Sequence, residues 1–312
     1  MIRFLINSEI DYNKWDNCIE RSYNGNLYAW SWYLDLVCEG WDAIIAGDYE
    51  QVMPVTAGKK YGIKYLYQPP FTQQLGIFST TPESGYSNND FLEILTHHYR
   101  FAEINLNRYN RINNNNFKIN FRKNYELDLI KPYEQLQGNY SENTRRNIKK
   151  AVKEGINISE NSDPRSIIKI FRQEKGREIK KMGERHYKIL EKLIYRSLYK
   201  NIATVSGAFT HENRLCAGVF IIRSHHRLVL IFSANNSIAR NTGAMHLLID
   251  SIIKKYAGQA LTLDFEGSEI EGLARFYAGF GSAETRYPAL QYNNLPFFVK
   301  LIIEAMKRTG LK

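Results

Sequence analysis

The stretch LTLDFEGSEIEGLARFYAGFG, residues 261–281, sets two carboxylates, Asp264 and Glu266, two positions apart among apolar residues. Leu261, Leu263 and Phe265 alternate with Thr262, Asp264 and Glu266, so an extended backbone turns the apolar set to a core and both carboxylates to the other face. Two like charges that close raise one pKa, which suits a proton acceptor or a holder of an ammonium group. The same two groups also serve as loop caps beside a helix dipole. Ser268 followed by Glu271 reads as a capping box, with Ile270, Leu273, Ala274 and Tyr277 as the apolar stripe behind it, so Ser268 is a cap rather than a nucleophile. Gly279 and Gly281 stop that helix. Without further context, Tyr277 on the stripe is a core aromatic.

A second chemical feature is charge. The net charge is +10, and residues 141–200 hold 17 Lys plus Arg against 8 Asp plus Glu, so nearly all of the imbalance lies in sixty residues. The helix pattern YSENTRRNIKKAVKEG turns Ile148, Ala151 and Val152 inward and spreads Arg145, Arg146, Lys149, Lys150 and Lys153 around the rest. That face is either solvated or a platform for phosphates. Other constellations fail. The pairs His97-His98 and His225-His226 lack metal spacing, and no metal site is expected. There is no G-x-S-x-G and no Walker-type loop. A glycosidase pair rests on Asp264 and Glu266 alone.

The elements that must position these residues follow from periodicity. The first half reads as a strand at 2–6, helices at 11–21 and 28–38, and a hairpin joined by Gly47-Asp48. Strands near 64–68 and 74–78, a helix at 89–100, a strand in FAEINLN and a strand in the 117–130 stretch complete it. The second half reads β-α-α-β-β-β-α-β-α-β after the basic helix. Its elements are a strand at 156–159, a helix opened by Asp163-Pro164 and a helix at 184–199. Strands at 202–209, 214–223 and 226–234 precede a helix at 241–256, the opening strand and helix, and a last strand at 284–291. With 44% hydrophobic residues the chain is globular. Cys18, Cys38 and Cys216 lie too far apart for a disulfide framework and fit a reducing compartment. No run approaches the roughly 18 apolar residues of a membrane span, and the N-terminal apolar stretch is too short for a signal peptide, so a cytoplasmic location is expected. LPFFVKLIIEAMKRTG is amphipathic with a basic end and reads as a helix docked on the core rather than on a membrane surface.

This order, with YSENTRRNIKKAVKEGI, ARNTGAMHLLIDSIIKKYA, LDFEGS and GLARFYAGFGS, resembles the GNAT superfamily of N-acyltransferases. The whole chain is similar to the two-lobed Fem type, the first half more loosely, through LYAWSWYLDLV, WDAIIA and YQPPFTQQLGIFS. The resemblance implies an α/β (α+β) fold of two tandem GNAT-like lobes with mixed central sheets flanked by helices, the first degenerate. The expected division is 1–138 and 139–312, with the active site in the second lobe.

The resemblance also implies roles. In ARNTGAMHLL a pattern Q/R-x-x-G-x-G/A leads into a helix whose N–H groups hold a coenzyme A diphosphate. Arg240, Asn241, Thr242, Gly243 and Ala244 fill that stretch, with Met245 at the last small position; an ordinary helix start capped by Asn241 or Thr242 is the competing reading. Asp264 and Glu266 become candidates for accepting the proton of an attacking amine, and Tyr277 for protonating the donor sulfur. Two donors follow. Arg240-x-x-Gly243, and the lack of room for an inserted coiled-coil arm, lean toward an acyl-CoA co-substrate; the basic sixty residues favour aminoacyl-tRNA. The acceptor is an amine, on a membrane-linked or phosphorylated precursor in the Fem branch. A reading from another class is a non-catalytic GNAT-like scaffold that binds RNA or another polyanion through Arg145, Arg146, Lys149 and Lys150.

Overall fold

The computed structural model describes residues 1–60, 62–82, 85–113, 116–174, 182–267 and 269–298. The fold is mixed α/β and forms two compact units: Met1–Phe121 with the described segment after Arg286, and Arg122–Arg286. Residues 122–138 therefore group with the second unit.

The first unit contains β1 (Ile2–Leu5), α1 (Tyr12–Arg21), α2 (Ser31–Val37), β2 (Asp42–Ala46) and β3 (Gln51–Val55). It continues with β4 (Ala57–Lys60), β5 (Ile63–Tyr67), β6 (Phe78–Ser79), α3 (Asn88–His98) and β7 (Phe101–Asn105). Strands β1, β2, β3 and β6 form an antiparallel sheet in that order. β4 and β5 make a hairpin whose second strand pairs parallel with β7. The strand expected over 74–78 is reduced to β6 and a single bridge from Leu75 to Leu106. Its backbone groups are taken by side chains instead: the Ile77 N–H donates to Asn110 Oδ1, and the Ile77 carbonyl accepts from the Nδ2 groups of Asn24, Asn107 and Asn110. Asparagines that bond backbone in this way compete with a ladder.

The second unit runs through β8 (Lys118–Asp128), α4 (Tyr133–Gly138), α5 (Glu142–Lys153), β9 (Asn157–Ser159), α6 (Pro164–Glu174) and α7 (Glu184–Tyr199). Then come β10 (Ala203–Phe209), β11 (Leu215–Ser224), β12 (Arg227–Asn235), α8 (Ser237–Thr242), α9 (Ala244–Tyr256), β13 (Thr262–Asp264), α10 (Glu271–Ala278) and β14 (Ala283–Asn293). The unit boundaries fall within β8 and β14. β9 to β12 pair antiparallel in the order β9-β10-β11-β12, and β13 lies parallel to β12 and antiparallel to β8. The parallel pair is what a helical crossover through α8 and α9 permits. One core gathers Leu248, Ile249, Ile252 and Ile253 of α9 with Leu261, Leu263 and Phe265, Ala151 of α5, and Tyr277 and Phe280 beyond.

Three sequence expectations need correction here. The helix expected over 241–256 is two helices, α8 capped by Asn236 and α9, broken at Gly243 in the left-handed region with φ 81°. The alternating strand has only three residues, and Glu266 at φ 57° lies beyond it, so the two carboxylates do not share a strand face. In α5 the inward residues are Thr144, Ile148 and Ala151, whereas Val152 is 62% exposed. α10 starts at Glu271 after Ile270, which makes no side-chain cap. Ser268 lies outside the described residues, as does the basic end of the terminal amphipathic stretch, from residue 299 on.

Candidate active site

The chemistry-bearing residues of 261–281 meet at the end of β13. β12 and β13 pair over only Arg227↔Thr262, Leu228↔Leu263 and Val229↔Asp264, while β12 continues to Asn235. Beyond Asp264 the chain stays with β8 instead, Phe265 N–H donating to the Tyr125 carbonyl, and then turns through Glu266 and Gly267, both at positive φ. A methyl group on Gly267 would come within 2.2 Å of the Lys123 carbonyl oxygen, so the turn can press against β8 only with glycine there. A non-glycine residue such as Glu266 in the left-handed region costs on the order of 1 kcal/mol and is held by its surroundings.

Asp264 is anchored. Its Oδ1 accepts from Asn124 Nδ2 and the Glu266 N–H, each at 3.0 Å, and its Oδ2 from Arg227 Nη2 at 3.0 Å and Nε at 3.3 Å. Glu126 also pairs with Arg227 and accepts from Asn124 and Thr285. Asp264 is 4% exposed and Glu126 9%, so this is a buried, hydrogen-bonded ion cluster. Burial opposes the charge on Arg227, but Asp264 and Glu126 more than offset it and its pKa is raised. Arg227 follows a two-residue hairpin, Ser224 pairing with Arg227 across His225 and His226, both left-handed. That is the backbone of a tight turn matched to strand twist. Arg227, Glu126 and Asn124 were not among the sequence candidates, because only the register of β8 on β13 and of β13 on β12 joins them to Asp264. The available signal was a lone glutamate or arginine at the edge of an apolar strand run.

Tyr277 meets this corner through Phe265 and lies within reach of the charge of Glu266. Tyr277 is 5% exposed and stacks on Phe265 at 4.7 Å. Burial, reinforced by the charge of Glu266, raises its phenol pKa, so it keeps its proton. The Phe265 and Tyr277 rings continue through Phe276 and Phe280 to His246 in the first turn of α9, 4.8 Å from Phe276. Burial pushes the His246 pKa down to about 4, so the imidazole is neutral near pH 7.

The expected anion loop lies under α5. A methyl group on Gly243 would approach the Asn147 carbonyl oxygen to 2.5 Å, and Ala244 is fully buried. Asn241 is exposed, Thr242 donates its hydroxyl to the Ile238 carbonyl, and Arg240 pairs with Glu174 at 2.7 Å. At its other end α5 touches α10: the Ser141 N–H donates to the Gly279 carbonyl. Thus α5 bridges the start of α9 and the end of α10, with Arg145, Arg146, Lys149 and Lys150 all exposed on its outer side. The three cysteines are buried and form no disulfide with one another. Among the described residues no helix is long and apolar enough to cross a membrane.

No family model matches the sequence, and no curated protein matches it either. Solved structures do. FemX is similar over 94% of this chain and 98% of its own, at 11% identity and a TM-score of 0.67. L-PGS from Bacillus licheniformis covers 96% of each chain at 11% identity and a TM-score of 0.55. The C-terminal domain of a putative lysylphosphatidylglycerol synthetase from Agrobacterium fabrum covers 98% of this chain and 97% of its own, at 11% identity and a TM-score of 0.54. With the order of elements in the second unit, these likenesses establish that the chain shares the fold of FemX and of these synthetase structures.

Proposed function

We propose that the chain is an acyltransferase that moves an aminoacyl group from aminoacyl-tRNA to an amine. The observation that carries this is the corner after β13, where Glu266 stands in a left-handed backbone beside a buried, protonated Tyr277, within the fold shared with FemX. An attacking amine has a pKa of roughly 8 to 10 and must lose a proton before its nitrogen bonds the ester carbon. Glu266 takes that proton. As the tetrahedral intermediate collapses, the bond to the leaving oxygen breaks, the Tyr277 phenol gives that oxygen a proton, and the proton held by Glu266 restores the phenol. Asp264 has both oxygens engaged, so its part is to hold the corner, with Arg227 and Glu126, rather than to carry a proton.

The donor is argued from α5. The carbonyl of Asn147 lies over Gly243, where a coenzyme A diphosphate would need open backbone N–H groups, and Arg240 is engaged by Glu174. The exposed basic side of α5, which joins the end of α10 to the start of α9, instead offers phosphate contacts. The similarity to the C-terminal domain of a putative lysylphosphatidylglycerol synthetase supports an aminoacyl cargo. A donor of this kind places the reaction in the cytoplasm. An acyl-CoA thioester remains the competing donor, favoured by the left-handed Gly243, which opens α9 without a side-chain cap.

The test supplies mixed labelled aminoacyl-tRNAs or acyl-CoA thioesters with amine acceptors and scores alkali-stable amide. Transfer from tRNA is expected, falling roughly a hundredfold in Glu266→Gln. It should vanish when Arg145, Arg146, Lys149 and Lys150 are reversed to glutamate, since these exposed residues leave the core untouched. Transfer from thioesters alone would overturn the donor. Salt-sensitive tRNA binding with no transfer from any donor would leave a polyanion-binding scaffold.

A further inference from the structure

The first unit contains a pocket of about 570 Å³ that the acyl-transfer reading does not use. Its lining is polar and, among the described residues, includes no carboxylate. Gln51 lies there, 3% exposed, with its Nε2 donating to the Tyr86 carbonyl. That bond fixes the orientation of the amide, and Oε1 is left buried without a hydrogen-bond partner. An unmet buried acceptor costs stability, and a ligand N–H or O–H removes that cost. By contrast, the neighbouring Asn110 amide is fully used on the Ile77 backbone.

The rim carries cations and rings. Arg108 stacks on the Tyr109 ring at 4.9 Å, and Tyr23 meets Tyr109 edge-on at 6.0 Å. Among the described residues the Arg111 guanidinium has no acceptor, and its charge is felt by the Tyr23 phenol. An arginine pair beside two tyrosine rings suits an anion attached to a sugar or a planar ring. The volume is that of a small-molecule site.

We propose that this pocket binds a hydroxylated phosphate ester, with the phosphate at Arg108 and Arg111 and a hydroxyl donating to Gln51 Oε1. The source is a sugar phosphate or the ribose phosphate of a nucleotide. Both share that chemistry, and a base would add contact with Tyr23 and Tyr109.

Calorimetric titration of the full chain with ribose 5-phosphate, AMP, ribose and inorganic phosphate tests it, with no dependence on transfer activity. At least one ester should bind in the micromolar to low millimolar range, and tighter binding of AMP or of ribose 5-phosphate identifies the source. Arg111→Ala, at an exposed position, should weaken the better ester about tenfold. Gln51→Met, which removes the unmet acceptor together with the Nε2 bond to the Tyr86 carbonyl, should weaken it severalfold. Binding of inorganic phosphate as tight as either ester, unchanged affinity in either variant, or no ester binding at about ten millimolar would overturn the proposal.

Discussion

The two units bury different kinds of polar group. In the first, the buried polar side chains are neutral: Asn24, Asn105, Asn107 and Asn110, Gln51, Gln73 and Gln74, with hydroxyls. In the second they include the carboxylates of Glu126, Asp250 and Asp264. Neutral amides are spent on backbone, as the three asparagines around Ile77 show. The carboxylates are tied to titratable or cationic partners, Arg227 for Glu126 and Asp264 and Tyr133 for Asp250. Proton chemistry therefore has its material in the second unit, while the first is built to recognise by hydrogen bonding. The helix starts differ in the same sense. α3 begins with a closed capping box, Ser87 bonding the Asp90 N–H and Asp90 the Ser87 N–H. α9 begins on a left-handed glycine with no side-chain cap.

The strongest test of this contrast is to strand the ionic cluster. Arg227→Met leaves Glu126 and Asp264 buried without a cation, and breaking such a pair costs about 3 kcal/mol or more. Urea unfolding should show that loss at pH 7. A stranded carboxylate has its folded pKa raised, and a raised folded pKa gives stability that is present at low pH and lost as pH rises. The deficit should therefore shrink toward pH 5. A deficit that is small or independent of pH would mean that the cluster contributes little charge to the fold.

Asn110→Ala is the counterpart in the first unit. It leaves the buried Ile77 N–H without its acceptor, for a smaller loss of about 1–3 kcal/mol. No charged group takes part, so that loss should stay the same between pH 5 and pH 8. A pH-dependent loss would erase the distinction between the two interiors.

How much of this was legible in sequence divides along the same line. The second unit was read closely: α7 was expected over 184–199 and spans Glu184–Tyr199, because its apolar stripe and flanking glycine are local signals. The breaks were not seen. Gly243 looked like part of one helix, and the contact that fixes it, with the Asn147 carbonyl, comes from a distant helix. Asp264 and Glu266 were visible as an acidic corner, but their difference was not. It depends on Asn124 and Arg227, 140 and 37 residues away in the chain, and on a left-handed turn that alternation does not encode. In the first unit β6 gave way to asparagine side chains, a competition that β-propensity does not register.

The smallest expected effect concerns His246, in the first turn of α9. It faces the rings of Phe276 and Phe280, and burial alone pushes its pKa down to about 4, against roughly 6.5 for an unfolded histidine. The folded state thus refuses a proton that the unfolded chain accepts between those two values. Stability is unaffected above pH 6.5 or so and falls as pH drops toward 4, by at most about 1.4 kcal/mol per pH unit, and less where solvent reaches the ring. His246→Leu keeps an apolar side chain against the two phenylalanines and removes the proton site. Comparing urea midpoints at pH 7 and pH 5, the wild-type protein should lose more stability than the variant. An equal loss in both would place the acid sensitivity of the second unit in its carboxylates alone, with the imidazole acting only as one more ring in the aromatic row between α9 and α10.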